Sequence, residues 1–238
     1  MRRILSILLC LSLLVFPSAR AEQPQYVALT FDDGPSGRFT RRLLAGLEER
    51  QVQATFLLCG YRLEVYPELA KQIFEAGHEI GPHGYSHKDM ATLSKKQLEK
   101  EIEATRALLP AGCEAVFLRP PGGSGTHLLE QVAEKEDLAL LLWSVDPRDW
   151  AVHDAAAVEA AVISQVQDGD VILLHDLSDS SVDAALSIID RLQEEGFQFV
   201  TVSELAALRG ILPNQAKCIP LFPDSALPMG ELSAAQAD

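Results

Sequence analysis

From Tyr26 onward the chain alternates short β-rich runs with longer segments whose apolar positions fall three and four residues apart. The short runs predict strands at Tyr26–Phe31, Gln53–Leu58, His78–Gly81, Ala115–Arg119, Leu138–Val145, Val171–Leu174 and Phe197–Val200. The segments between them read as helices because they carry start and stop signals. Pro67 opens one and Gly77 closes it, and Ser94 and Gln97 stand at capping-box spacing ahead of Leu98, Ile102 and Leu109. Asp154 precedes Val158, Ala161 and Val162, while Val182, Leu186, Ile189 and Leu192 form a stripe that Gly196 ends. Such stripes are expected to face the core.

Strict alternation of strand and helix implies a mostly parallel sheet, because a parallel connection needs a crossover helix. An open doubly wound sheet and a closed barrel both satisfy that pattern. Seven units before residue 210, with no Gly-x-Gly-x-x-Gly after the first strand, favour a single-domain α/β barrel of seven parallel strands. Residues 22–210 form the expected domain. Residues 211–238 read as a tail or wrapping extension, since Pro and Ala dominate from Gln215 onward and periodicity fades.

Ahead of the domain, Arg2 and Arg3 precede an apolar run from Ile4 to Phe16 and an Ala-x-Ala site at Ala19-Arg20-Ala21. Residues 1–21 therefore read as a cleavable export signal. The run is short against the roughly 20 residues a membrane span needs. Leu9 stands where a lipoprotein signal would put a small residue beside Cys10. The expectation is a secreted, extracytoplasmic protein with no stable membrane anchor after cleavage.

A chain of 238 residues with 47% hydrophobic and 23% charged residues is globular, which excludes a fibrous or disordered protein. Its formal charge is −14; residues 1–21 hold three arginines and no acid, so 17 basic and 34 acidic residues remain, or −17. Such a surface repels nucleic acid and anionic lipid, so neither is an expected partner, and the working expectation is a monomer. Cys59, Cys113 and Cys218 remain after cleavage and match no Cys-x-x-Cys pattern. One disulfide with one thiol and three inert cysteines are both compatible with that spacing.

In a parallel α/β fold the reactive side chains gather where strands run out into the loops before helices. Asp32-Asp33-Gly34-Pro35 follows the first strand, His83 and His87 the third, Arg119-Pro120-Pro121-Gly122 ends the fourth, Asp146 and Asp149-Trp150 follow the fifth, and His175-Asp176 the sixth. Turn aspartates and capping or buried histidines explain each one singly. Five of seven strand ends on one rim call for a common explanation. The four-residue spacing of His83 and His87 would put both imidazoles on one face of a helical turn. With one carboxylate they supply three ligands, the number a catalytic zinc uses while keeping positions open. The same donors suit non-haem iron, but the oxygenase scaffold is an antiparallel double-stranded β-helix, which the alternation opposes. A second carboxylate suits hydrolysis, where water must lose a proton, and His175 would bring an acid from the opposite side of the rim. Ser124 fails as a nucleophile elbow, because Thr126 replaces the second glycine and Pro120-Pro121 replaces the preceding strand.

These residues closely resemble the polysaccharide deacetylases that share the NodB homology domain, carbohydrate esterase family 4, over Tyr26 to Leu208. Five ordered motifs carry the resemblance: Thr30-Phe31-Asp32-Asp33-Gly34-Pro35, His83-Gly84-Tyr85-Ser86-His87, Arg119-Pro120-Pro121-Gly122, Asp146-Pro147-Arg148-Asp149-Trp150 and Leu173-Leu174-His175. The resemblance implies a distorted seven-stranded barrel. It implies Asp33, His83 and His87 as ligands of a divalent metal, usually Zn2+, with Asp32 as base and Arg119 paired to it. It further implies His175 as the acid, oriented by Asp149, with Trp150 and Leu173 walling a pocket for the acetyl methyl and the Gly122 N–H as an oxyanion donor. Two positions depart from the family pattern: Gly122 stands where an aromatic residue is common, and Gly84 where a small hydroxylated residue is common. The implied activity is metal-dependent removal of N-acetyl groups from N-acetylglucosamine residues of a polysaccharide, peptidoglycan or chitin-like. The alternatives are an O-acetyl esterase acting on xylan and a non-catalytic carbohydrate-binding protein of the same fold. The complete set of acid, base and ligands argues against the last.

Overall fold

The computed structural model describes residues 24–211 and the backbone of Cys218–Ile219; the expected export signal and the rest of the expected tail lie outside the described residues. In chain order the elements are β1 (Gln25–Asp32), α1 (Arg38–Glu49), β2 (Thr55–Leu58), α2 (Gly60–Val65), α3 (Pro67–Glu75), β3 (Glu79–Pro82), α4 (Lys95–Arg106) and β4 (Phe117–Leu118). There follow α5 (His127–Lys135), β5 (Ala139–Leu141), α6 (Ala155–Ile163), β6 (Val171–His175), α7 (Asp179–Glu194), β7 (Phe197–Phe199), α8 (Val202–Leu208) and β8 (Cys218–Ile219).

Every strand pairing among the described residues is parallel. One sheet runs β3-β2-β1-β6 with β7 also on β1, and a second runs β4-β5-β8. Two seams join them. Arg119 N donates to Pro82 O at 3.2 Å beside β3 and β4, and Val145, beyond β5, bridges Ile172 of β6. Hydrogen bonding therefore runs round an interrupted ring of parallel strands, the distorted form of the expected barrel.

All seven expected strands are present, but several are shorter than the apolar runs that predict them. Ala115–Arg119 yields only Phe117–Leu118, and Leu138–Val145 yields Ala139–Leu141 before the chain bends toward its bridge with β6. An eighth strand lies within the stretch read as a tail or wrapping extension. Cys218 and Ile219 pair with Leu140 and Leu141, occupying the edge of β5 that β4 leaves free.

The pleat of β1 divides two apolar layers. Val27, Leu29 and Phe31 pack with Leu43 and Leu47 of α1 and with Val182, Ile188 and Ile189 of α7. Ala28 faces the ring interior with Leu57, Phe117, Ala139, Leu141 and Val171, where Val202, Leu205 and Ala206 of α8 pack against them. The helix signals act as expected. Gln97 Oε1 accepts from Ser94 N at 2.9 Å, and Asp154 Oδ1 accepts from Ala156 N at 3.0 Å. Gly196, at φ 89°, follows α7 with the left-handed turn that glycine tolerates. A ladder of ion pairs, Arg38–Asp179, Arg42–Asp183 and Arg50–Asp190, lines α1 with α7 on the exposed side. Each exposed pair contributes about 1 kcal/mol or less, so the apolar interface beneath carries the packing.

Candidate active site

Period two along β1 puts Thr30 and Asp32 on the inner side with Ala28, at the carboxyl end of the strand. Both are buried among the strand ends, and the guanidinium of Arg119 reaches them from the end of β4. Arg119 Nη1 donates to Thr30 Oγ1 and to Asp32 Oδ1, each at 2.7 Å, while Nη2 donates to Leu142 O at 2.9 Å. A fully buried cation is thus paired with a carboxylate and hydrogen-bonded on all three nitrogens, Nε reaching Leu141 O at 3.4 Å, the condition under which such burial is tolerated.

Asp33 follows with φ 71°, a left-handed conformation that aspartate adopts more readily than most residues. The reversal sends its carboxylate away from that of Asp32 and toward the histidines. Asp33 Oδ1 lies 2.9 Å from His87 Nε2 and 3.3 Å from His83 Nε2. One donor atom from each of the three residues falls within 4.8 Å of the others. His83 Nδ1 sits 2.8 Å from the Arg119 carbonyl oxygen, which can only accept, so Nδ1 carries a proton and Nε2 faces Asp33.

The residues present fit a divalent cation. Asp33 Oδ1 is buried, faces both imidazoles, and makes no aligned hydrogen bond. Burial alone would push the Asp33 carboxyl up, but His83 and His87 outweigh it and hold it far below the ordinary carboxylate range. Asp33 in turn pushes His87 up, against the burial that would lower it. Two nitrogens and one carboxylate oxygen, with space beside them, are the donor set of an open zinc-type site.

The two histidines are not on a helix, which corrects the expectation from their spacing. His83 follows β3 directly, Gly84 and His87 have φ of 75° and 55°, and the segment is an irregular loop. Glu101 of α4 holds it: its Oε2 accepts from Tyr85 N and Ser86 N, both at 2.7 Å, and its Oε1 accepts from Ser86 Oγ at 2.7 Å. Gly60 meets the same loop so closely that a Cβ there would lie 2.4 Å from the Tyr85 ring.

On the opposite side, His175 ends β6, in register with Asp32. Buried Asp149 accepts from His175 N at 2.9 Å through Oδ2 and lies 2.8 Å from His175 Nδ1 through Oδ1. Burial would lower the imidazole's pKa, but Asp149, with Asp32 and Asp33 adding to its field, pushes it up to about 9. The imidazolium is therefore the resting form at neutral pH, with Nδ1 engaged and Nε2 free to donate.

Asp32, Asp33, His83, His87, Gly122, Trp150, Leu173 and His175 line one cavity of about 570 Å³, with Arg119 and Asp149 behind its walls. All ten expected site residues are thus brought together on one rim. Gly122 lies there with φ 67° and open space where a Cβ would be. A larger groove of about 670 Å³ beside α1 and α3 holds none of them. The sequence reading missed Glu101, Trp143, Arg148 and the packing of Asp176. Trp143 lines the cavity and lies so close to Gly123 that a Cβ there would sit 2.7 Å from the indole. Arg148 stands over Trp150 at the mouth, 5.3 Å from the ring centre. Glu101 had a signal in the sequence: with Leu98, Ile102 and Thr105 it completes the inward stripe of α4, where a carboxylate needs partners.

A cation-holding trio, a second carboxylate and an imidazolium around one cavity can polarise a carbonyl, activate water and protonate a leaving group. The polysaccharide deacetylase family model matches residues 19–141, and the chain belongs to that family. The chain is 38% identical over 186 residues to the peptidoglycan-N-acetylmuramic acid deacetylase PdaC of Bacillus subtilis, covering 77% of this chain and 39% of that protein. It is 35% identical to a peptidoglycan-N-acetylglucosamine deacetylase of Bacillus cereus, over 75% of this chain and 87% of the relative. Its fold is similar to that of a family 4 acetyl xylan esterase from Clostridium thermocellum solved with a cobalt ion, at TM-score 0.76 and 35% identity, covering 81% of this chain and 96% of the other. Asp149 and His175 lie beyond the family-model match, so their pairing rests on geometry.

Proposed function

We propose that the protein is a secreted, metal-dependent hydrolase that removes N-acetyl groups from N-acetylglucosamine residues of a polysaccharide, peptidoglycan or chitin-like. The observation that carries this reading is the cavity in which Asp33, His83 and His87 converge between Asp32 on one side and His175 on the other. A divalent metal, Zn2+ by the chemistry of the donors, would be held by those three residues and would supply Lewis acidity toward the acetyl carbonyl and the attacking water.

The chain's own groups carry the protons. Asp32, oriented by its bond to Arg119, accepts the proton of the attacking water. His175, protonated at neutral pH and fixed by Asp149, donates from Nε2 to the nitrogen as the carbon–nitrogen bond breaks, so that the amine leaves neutral with acetate as the other product. Leu173 and Trp150 wall the space for the acetyl methyl, and the backbone of Gly122 borders the same cavity as the candidate oxyanion donor. The export pattern of residues 1–21 and the relatives named for peptidoglycan deacetylation support action outside the cytoplasm. No helix among the described residues is long and apolar enough to cross a membrane.

Similarity to an acetyl xylan esterase favours one second reading, the same machinery acting on O-acetyl groups of xylan. Acetate release from acetylated chito-oligosaccharide, peptidoglycan and acetylxylan, with zinc and then with chelator, tests both. Chelator-sensitive release led by the amide substrates is expected; release from acetylxylan alone would replace the amide reading, and release unaffected by chelator would remove the metal from it.

A further inference from the structure

Asp176 follows His175 at the end of β6, and it is completely buried. Thr40 Oγ1 donates to its Oδ2, and its Oδ1 has no hydrogen-bond partner among the described residues. Its backbone oxygen accepts from Ser36 Oγ, and Ser36 N donates to Thr40 Oγ1 at 2.7 Å. The loop between β1 and α1 therefore closes onto this one residue. On its other side the carboxyl group backs onto Gly34, where a Cβ would sit 2.7 Å from Oδ1 and 2.9 Å from Oδ2. Gly34 is pinned from the opposite direction as well, its carbonyl accepting from Cys59 N at 3.1 Å. The turn that carries Asp33 is thus clamped between the end of β2 and the carboxyl of Asp176.

We propose that Asp176 is a positioning residue: its buried carboxyl group seats the Asp33–Pro35 turn on the end of β6 and so sets Asp33 relative to His175. Neither proposed reaction role falls to Asp176 itself, since its carboxyl group is walled from the cavity. Its reach explains why it matters. Thr40 and Ser36 lie 136 and 140 positions earlier in the chain, so one side chain ties the strand of the proposed acid to the loop of the proposed metal ligand. Misplacing a reacting group by about 1 Å can cost roughly 100-fold in rate, and changing an outer-shell partner of a metal ligand costs roughly 10–100-fold in affinity.

The inference rests on Asp33, His83 and His87 as a ligand set, and its test reads zinc affinity without substrate. Asp176→Ala, Asp176→Asn and Thr40→Val are compared with the unmodified protein by zinc competition against a chromogenic chelator, with kcat and KM measured alongside and folding followed by circular dichroism. Asp176→Ala is expected to weaken zinc binding roughly 10–100-fold and to lower kcat with KM unchanged. Asp176→Asn, which keeps the volume and the acceptor for Thr40, should stay near wild type, and Thr40→Val should shift affinity in the direction of Asp176→Ala by less. A folded Asp176→Ala variant with wild-type zinc affinity and kcat would overturn the proposal. So would an equal loss in Asp176→Asn, because charge and not seating would then be responsible. If Asp176→Ala fails to fold, wild-type zinc affinity in Thr40→Val overturns it. Tight zinc binding without acetate release would refute the substrate reading and leave this one to the affinities; no zinc binding by the unmodified protein would sink the ligand set and this proposal together.

Discussion

The His175–Asp149 pair predicts a specific dependence of stability on pH. In an unfolded chain the imidazole titrates near 6.5, and in the fold Asp149 outweighs burial and carries it to about 9. With the side chain only 12% exposed, solvent screening removes little of that difference, which corresponds to about 3 kcal/mol. Because the folded pKa is the higher one, the native state binds the extra proton. The stabilisation is complete below about pH 6.5, fades as pH rises, and is gone above about 9. Asp149→Asn removes the largest charge opposing burial and leaves only Asp32 and Asp33 against it, so the His175 pKa should fall well below 9 and this slope should shrink. Urea denaturation of both proteins from pH 6 to 9.5 isolates the effect, since other titrating groups cancel in the difference, and histidine Cε1–H chemical shifts report the pKa directly. Turnover at neutral pH should fall roughly 10²–10⁴-fold, the usual contribution of a general acid. Equal pH slopes in the two proteins, or a His175 that still titrates near 9 in the variant, would refute the reasoning.

Two further substitutions probe the frame around the site. Arg119→Ala strands the buried Asp32 carboxylate and should cost about 3–5 kcal/mol in urea denaturation, whereas an exposed control such as Arg38→Ala should cost less than about 1 kcal/mol. Glu101→Ala frees Tyr85 N, Ser86 N and Ser86 Oγ, and zinc competition should show affinity reduced roughly 10–100-fold while the melting temperature changes little.

The acids and imidazoles at the strand ends were legible because each breaks the local pattern, whereas Leu173 and the roles of Trp150 and Gly122 came from the family resemblance alone. An apolar strand such as Tyr26–Phe31 has no reason of its own to end in two carboxylates, and His175 closes the run Val171–Leu174 in the same way. The helix signals were legible for a similar reason, since the Asp154 cap and the Ser94–Gln97 box are satisfied within a few residues of chain. What escaped depends on distant partners. Glu101 shows its place on the inward stripe of α4, but its partners are not visible until the loop from His83 to His87 is laid against it. Asp176 reads as a turn residue until Gly34 and Thr40 close around it. The spacing of His83 and His87 suggested a helical turn because spacing alone does not show that Gly84 takes a left-handed conformation. β8 has two residues in a stretch without periodicity, and only the open edge of β5 makes it a strand.

The order in which the pieces occur along the chain has a consequence for assembly. Strands β1, β2 and β3 are consecutive and pair in register, so the residues up to His87 contain all three candidate ligands and the sheet that presents them. His175 arrives only when β6 docks on β1, and the Thr30–Ile172 bond of that docking spans 142 positions. Long-range pairing of this kind forms late, and chains fold from the N-terminal end as they are made. A half-folded molecule would hold the three donors without the Glu101, Arg119 and Asp176 contacts that seat them, so tight cation binding, like proton delivery, would wait on the docking of β6.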